Sequence, residues 1–174
     1  MRRRLLLLLT CAAGLYFGFM YWRDHRFDAV ITAAAKRYQV DPALVKAVVW
    51  QESRFHPNYR GRAGELGLMQ VRDITGDEWA SAERITPFDN MACLDPATNT
   101  LAGTWYLKRT LSRYRQTDNP VPYALADYNA GRGNVLKWST GSATTNSGAF
   151  LKQITFPGTR AYIQSVMKRC KHYQ

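Results

Sequence analysis

One stretch, Asp41 to Gln70 (DPALVKAVVWQESRFHPNYRGRAGELGLMQ), constrains this chain more than any other. Asp41-Pro42 pairs a helix N-cap with a proline suited to the first helical position. Leu44, Ala47, Val48 and then Glu52 follow at spacings of three and four, which places them on one helical face. A carboxylate thus stands where the pattern calls for an apolar residue. Burial disfavours its charged form and raises its pKa, the state a general acid needs near neutral pH. The same spacing also fits a partly exposed Glu paired with Arg54 or Arg60. Beyond the helix, glycines at 61, 64 and 67 allow tight turns and close approach of a ligand to the backbone.

The rest of the chain reads as helices. Phe27 to Gln39 carries a helical period through Ile31, Ala34, Ala35 and Tyr38, and Val71 to Ala82 forms a short helix weakened by Gly76. Arg84 to Leu94 is irregular around Pro87. Asp95-Pro96 repeats the cap-and-proline start and opens a long helix. Its pattern turns Leu101, Trp105, Leu111 and Tyr114 inward and Arg109, Arg113 and Arg115 outward. Asn119-Pro120 and Pro122 break the chain before a helix from Tyr123 to Asn129, and a second short helix covers Gly133 to Trp138. Ser139 to Ser147 reads as a mobile polar loop, Phe150 to Gln153 as one turn, and Thr159 to Lys171 as the last helix. No segment alternates as a strand does, so the expected fold is mainly α.

The N-terminus is a separate problem. Arg2 to Arg4 precede Leu5 to Trp22, a run without charge that ends at Arg23, Asp24, His25 and Arg26. A spanning helix of this length just crosses a bilayer, with the arginines holding its start in the cytoplasm. A cleaved signal peptide would need the small residues Ala12-Ala13-Gly14 as its cleavage site, although the apolar run continues beyond them. A lipoprotein would use Cys11, but Thr10 before it is a poor fit. The expected division is therefore an anchor segment over residues 1–26, in the inner membrane, and one folded domain over 27–174, facing the periplasm. Signal cleavage leaves the domain in the same compartment.

The formal net charge is +11, of which residues 1–26 supply +4. Such a surface attracts an anionic polymer. No zinc-finger spacing or RNP-like stretch accompanies it, so nucleic acid is not an expected partner. His25, His56 and His172 are scattered without a metal pattern, and no cofactor is expected. Cys93 and Cys170 stand in the folded part. In an oxidising compartment they either form one disulfide or remain two unrelated thiols.

Glu52-Ser53 on a helix, Gly67-Leu68-Met69-Gln70, Ala126-Asp127-Tyr128-Asn129-Ala130-Gly131 and the late Phe156-Pro157-Gly158-Thr159-Arg160-Ala161-Tyr162 occur in that order. Together they resemble the catalytic domain of family 1 lytic transglycosylases, in glycoside hydrolase family 23, over roughly residues 28–165. The resemblance implies a lysozyme-like fold and cleavage of peptidoglycan between N-acetylmuramic acid and N-acetylglucosamine. It also implies a single catalytic Glu, matched by Glu52, which acts first as acid and then as base on the muramic acid C6 hydroxyl. That step closes a 1,6-anhydro ring. Ser53 then helps to cap the helix end, Met69 and Gln70 line the cleft, and Gln70 meets an N-acetyl group or sugar hydroxyl. Tyr128, with Asn129, and Tyr162 stand near the carboxylate.

Four positions depart from the family's pattern. Gly61 replaces a Ser, Glu65 and Asp127 stand where small residues are common, and Gly158 replaces a Glu. Glu65 opens an alternative, a water-using muramidase with Glu65 as the second carboxylate. It fits equally a loop ion pair with Arg60 or Arg62. The rival from another class is a non-catalytic wall-binding module, against which Glu52, Tyr128 and Asn129 argue. By size and family analogy, such an enzyme opens the wall for a secretion system, pilus or other envelope machine.

Overall fold

The computed structural model describes the backbone of residues 2–174 and the side chains from residue 9 onward. In chain order the described helices are α1 (Arg2–His25), α2 (Asp28–Tyr38), α3 (Pro42–Ser53), α4 (Asp73–Glu83), α5 (Pro96–Arg113), α6 (Pro120–Ala130), α7 (Arg132–Trp138), α8 (Ser147–Gln153) and α9 (Pro157–Tyr173). Short 3-10 turns cover Asn90–Leu94 and Gly141–Thr144. Among the described residues, β pairing is limited to the isolated bridges Arg60 with Leu66 and Leu66 with Val71. The expectation of a mainly α fold holds.

Helix α3 is the centre. The Asp41 carboxylate accepts the Ala43 N–H at 2.9 Å, and Pro42 takes the first helical position. A cap of this kind contributes about 1 kcal/mol. Leu44, Val45, Ala47, Val48 and Val49 are all buried, so α3 is enclosed on nearly every side. Helix α9 lies along it and α2 beside it; α2 packs on α5, α5 on α6, and α6 back on α9. Asp95 caps α5 through the Thr98 N–H at 2.8 Å, as its Asp-Pro pair predicts.

The inward face of α5 departs from its apolar pattern. The buried residues are Asn99, Thr100, Ala102, Gly103, Thr104, Leu107 and Thr110, while Leu101, Trp105, Leu111 and Tyr114 are only half-buried at the core's margin. Threonine tolerates this burial because its hydroxyl bonds within its own helix, Thr100 to the Pro96 carbonyl and Thr110 to that of Leu107, both at 2.8 Å. Arg113, expected outward, pairs with Asp127 instead. Gly103 lets the buried Met69 side chain lie against the helix. A Cβ there would sit 2.6 Å from both Cβ and Sδ of Met69. Gly103→Ala is therefore expected to destabilise by about 1–3 kcal/mol, read as a lower urea midpoint at unchanged slope.

Other expectations are corrected. Pro120 and Pro122 do not precede α6 but form its first turn, where their missing N–H groups have no helical partner to lose; Asn119 caps it through the Val121 N–H. The polar segment 139–147 is pinned, not free. Ala143 is fully buried and its carbonyl accepts the Tyr123 hydroxyl at 2.8 Å, while the Tyr123 ring stacks on Phe150 at 4.0 Å. Cys93 and Cys170 are both free thiols, so the disulfide is not formed. Cys93 lies in the Asn90–Leu94 turn, packed with α4 and α5, whereas Cys170 sits on α9, which packs on α3 and α6.

Among the described residues no helix is long and apolar enough to cross a membrane. The expected anchor, Leu5 to Trp22, falls partly on residues 1–8, whose side chains lie outside the described ones. What is described of α1 leaves Leu9, Leu15, Tyr16, Phe17, Phe19, Tyr21 and Trp22 exposed. Its end is docked. The Arg26 guanidinium stands over the rings of Trp22 and Phe27 and donates to the Phe55 carbonyl, and Lys46 of α3 pairs with Asp28 at 2.6 Å.

Candidate active site

The last turn of α3 carries Glu52 to the wall of a cavity of about 330 Å³. Glu65, Gln70, Tyr106, Asp127, Tyr128 and Asn129 line the same space. The Tyr162 hydroxyl, from α9, donates to Glu52 Oε1 at 2.6 Å. Burial pushes the Glu52 carboxyl up to about 7; the Tyr162 hydrogen bond pulls it down, and the negative charge of Glu65 pushes it further up. The phenols of Tyr128 and Tyr162 are held well above their ordinary range, by burial first and by the Glu52 charge second. Both therefore act as proton-bearing donors at neutral pH. Glu52 can give a proton and take one back within the same pH range, which suits a group asked to be acid and then base.

The loop opposite Glu52 is fixed by its backbone. The Ser53 hydroxyl donates to the Leu68 carbonyl at 2.8 Å and the Tyr128 hydroxyl to that of Met69 at 2.8 Å. Asn99 holds it from below. Its Oδ1 accepts the Met69 N–H at 2.7 Å, and its Nδ2 donates to the carbonyls of Leu66 at 2.7 Å and Cys93 at 2.6 Å. Gly67 sits directly on this amide at φ +72°, where a side chain would be both strained and in collision with the Cys93 carbonyl at 2.5 Å. Leu68 and Met69 are fully buried. Gln70 reaches the cavity, with its Nε2 donating to the Gly67 carbonyl at 2.9 Å and to that of Tyr59 at 3.2 Å, which leaves Oε1 as its free polar atom.

Glu65 projects into the cavity beside Gly61. Its Oε2 accepts the Ala63 N–H at 3.1 Å, and among the described residues it makes no ion pair. Arg60, one of its expected partners, lies against Met91 instead. A Cβ at Gly61 would overlap Glu65 Oε2 and lie 2.8 Å from Gln70 Oε1. Gly61 is thus the vacancy that the Glu65 carboxylate fills. Asp127 is fully buried and pairs through Oδ2 with Arg113 and with the Tyr114 hydroxyl, tying α6 to α5.

Comparison with known proteins gives the chain a family. The transglycosylase SLT domain family matches residues 29–150, well over half of the chain. The chain belongs to this family. The soluble lytic murein transglycosylase of Escherichia coli K12 is 31% identical over 157 residues, covering 87% of this chain and 24% of that protein. Membrane-bound lytic murein transglycosylase F of Desulfosudis oleivorans is 34% identical over 119 residues, covering 67% and 24%. The crystal structure of the 70-kDa soluble lytic transglycosylase of Escherichia coli superimposes with a TM-score of 0.75 at 27% identity, covering 92% of this chain and 29% of that one. This chain spans about a quarter of the length of these relatives.

Within this SLT domain, the sequence-predicted residues divide by role. Glu52, Glu65, Gln70, Tyr128 and Asn129 meet at one cavity, and Tyr162 closes on Glu52 from behind. The buried Ser53 hydroxyl lies 3.1 Å from the Val49 carbonyl, at the helix end as expected, and in addition staples α3 to the loop. Gly67, Leu68 and Met69 act through backbone and packing, and Met69 does not line the cavity. Tyr128 bonds the loop and not Glu52 itself. The Asn129 side chain accepts the Thr159 hydroxyl at 2.8 Å, joining α6 to the start of α9. Sequence reasoning missed Asn99, a polar residue inside a helix, and Tyr106, whose ring lies 5.4 Å from that of Tyr128. The Asp-Pro cap preceding Asn99 gave the helix but no hint of this burial.

Proposed function

We propose that this chain is a peptidoglycan lytic transglycosylase, with residues 27–174 as the catalytic domain. The observation that carries the reading is the Glu52 carboxyl, buried, hydrogen-bonded by Tyr162 and poised at about 7. Protonated Glu52 delivers its proton to the β-1,4 oxygen between N-acetylmuramic acid and N-acetylglucosamine. As the bond breaks, positive charge grows on the muramic acid ring and the carboxylate faces it. The carboxylate then takes the proton of the C6 hydroxyl, whose oxygen closes on the anomeric carbon to form the 1,6-anhydro end. Glu52 ends as it began, protonated, and water takes no part. Tyr162 positions the carboxylate in both halves of the cycle, and Tyr128 holds the loop that forms the opposite wall.

The test is mass analysis of products released from purified peptidoglycan by the full chain in detergent. Muropeptides one water lighter than hydrolysis products, without a reducing end, are expected. Reducing-end products would overturn the transglycosylase and favour a muramidase. One observation supports that second reading: Glu65 has no cation partner among the described residues, and its charge acts on Glu52. A wall-binding module is favoured only by the absence of any product.

The pH profile separates the two neighbours of Glu52. Tyr162→Phe removes the bond that lowers the Glu52 pKa, so the alkaline limb of kcat/KM should move up while kcat falls about tenfold. Glu65→Gln removes the charge that raises it, so the limb should move down. Movement of both limbs in the same direction would contradict the assigned causes.

Location follows from the N-terminus. The exposed apolar side chains of α1 and the basic start Arg2 to Arg4 support an inner-membrane anchor with the domain in the periplasm. Carbonate extraction of membranes tests it: the full chain should stay with the bilayer. A secretion or pilus machine as partner rests on the small size of the domain and on family analogy.

A further inference from the structure

The cleft is acidic on a basic molecule. The chain carries a formal +11, yet the cavity beside Glu52 is lined by three carboxyl residues, Glu52, Glu65 and Asp127, against one cationic residue, Arg72. Arg72 stands exposed at the start of α4 and forms no ion pair among the described residues. Two of the three carboxyls are answered from within the chain. Tyr162 donates to Glu52, and Asp127 pairs through Oδ2 with Arg113 and the Tyr114 hydroxyl. Glu65 has the Ala63 N–H on Oε2, which leaves Oε1 without a hydrogen bond and the charge without a cation among the described residues.

Gly61 brings a second acceptor to the same place. A Cβ there would overlap Glu65 Oε2 and lie 2.8 Å from Gln70 Oε1, so the two side chains converge on the space that the missing one leaves. Gln70 has no donor to add, because its Nε2 is committed to the carbonyls of Gly67 and Tyr59. Asp127 contributes one more orphan to this lining: its Oδ1 is buried without a hydrogen-bond partner. Negative groups and lone pairs gathered in an enclosed space cost energy unless a cation with several donors lies among them. The chain supplies no such cation. Glu65 is also within electrostatic reach of the reacting group, since its charge pushes the Glu52 carboxyl up.

We propose that Glu65 and Gln70 bind the free amino group of a glucosamine that has lost its acetyl group, so that the cleft prefers N-deacetylated glycan strands to fully acetylated ones. The proposal rests on the transglycosylase reading above. An ammonium brings three N–H donors and one positive charge. Glu65 Oε1 and Gln70 Oε1 accept two of the donors, and the Glu65 carboxylate answers the charge. An acetamido group brings one N–H and a carbonyl, and that carbonyl meets the same two acceptors. Glucosamine is the sugar concerned because its C3 carries only a hydroxyl, whereas the lactyl group of muramic acid crowds the nitrogen on the neighbouring C2. Net charge works the other way, since a chain at +11 repels a cationic strand, so a preference for such strands comes from the cleft.

The experiment uses glycan strands freed of peptide by an amidase, one portion further treated with a glucosamine N-deacetylase. Binding to the full chain in detergent is measured by calorimetry on Glu52→Gln, which does not turn the strands over, and on Glu52→Gln/Glu65→Gln. Glutamine at 65 still accepts the Ala63 N–H, so the loop keeps that bond. Glu52→Gln is expected to bind deacetylated strands about tenfold more tightly than acetylated ones, and the double variant to lose that factor by weakening on deacetylated strands alone. Added salt should erode the preference only while Glu65 is present. Equal affinity of Glu52→Gln for the two strands overturns the proposal. So does an equal loss on both in the double variant, which would make Glu65 a structural or second catalytic group. A Glu65 effect confined to peptide-bearing strands overturns it as well, by assigning the carboxylate to a peptide amine. Turnover of the same strands by the wild-type chain is judged separately: reducing ends, or no products, sink the transglycosylase reading and leave the binding comparison to decide the amine site.

Discussion

Glu52→Gln should abolish cleavage while making the folded chain harder to melt above pH 7. The amide keeps the shape of a protonated carboxyl and still accepts the Tyr162 hydroxyl, but it has no proton to give. Loss of a positioned acid costs about 10²–10⁴-fold, and here the same group serves twice, which places the loss at the upper end. The stability effect follows from the same burial. The native carboxyl titrates at about 7 against an ordinary 4.5. The folded state therefore holds a proton that the unfolded chain has already released between those values. The stabilisation from that proton is fully present below about pH 4.5 and lost as pH rises through 7, reaching about 3 kcal/mol at pH 8. Glutamine never ionises and avoids this loss. Melting curves of the two chains should nearly coincide at pH 4 and separate by several degrees at pH 8. A variant no more stable than wild type at pH 8 would refute burial as the cause of the shifted carboxyl.

Asn99→Ala should have the largest effect on stability of any single change outside the core's apolar residues. The Asn99 side chain is fully buried and serves three backbone groups, the Met69 N–H and the carbonyls of Leu66 and Cys93. Truncation strips the Met69 N–H and the Cys93 carbonyl of their Asn99 partner and leaves the Leu66 carbonyl only the Val71 N–H, in a space too enclosed for easy rehydration. At about 1–3 kcal/mol for each unsatisfied buried group, with some relaxation, the total is about 3–5 kcal/mol. That is a large part of the stability of an ordinary domain. The loop carrying Gln70 loses its support as well, so activity should fall even at temperatures where the variant stays folded. Denaturant unfolding together with kcat/KM at low temperature checks both parts. A loss of stability without any loss of activity would show that the loop is held by Ser53 and Tyr128 alone.

The parts of this fold that were legible in sequence are those governed by neighbours in the chain. Asp41-Pro42 and Asp95-Pro96 announced α3 and α5, because capping is a matter of two or three residues. Glu52 stood out because three apolar residues set the face on which it lay. The inward side of α5 was not legible. Its threonines satisfy their hydroxyls inside their own helix, so polar residues occupy the core and the hydrophobic period points to the wrong stripe. Ser53 and Tyr128 were readable as site residues only through their motifs. Their partners are carbonyls of a loop 15 and 59 residues away, and no local pattern encodes such a pairing. Tyr162 lies 110 residues from Glu52, and only its place in a closing motif linked the two. The vacancy at Gly61 filled by Glu65 could be seen as two separate departures, but their joint meaning needed coordinates.

The docked end of α1 has a mechanical consequence. Only Arg26 and Phe27 separate α1 from α2, and Arg26 is clamped between two rings and the Phe55 carbonyl, a few residues from Glu52. There is no leash. A helix of 24 residues is a rod of about 36 Å, and whatever grips that rod sets the height and the heading of the cleft at its other end. A long flexible tether lets a domain search its surroundings; this domain turns and travels only with its rod.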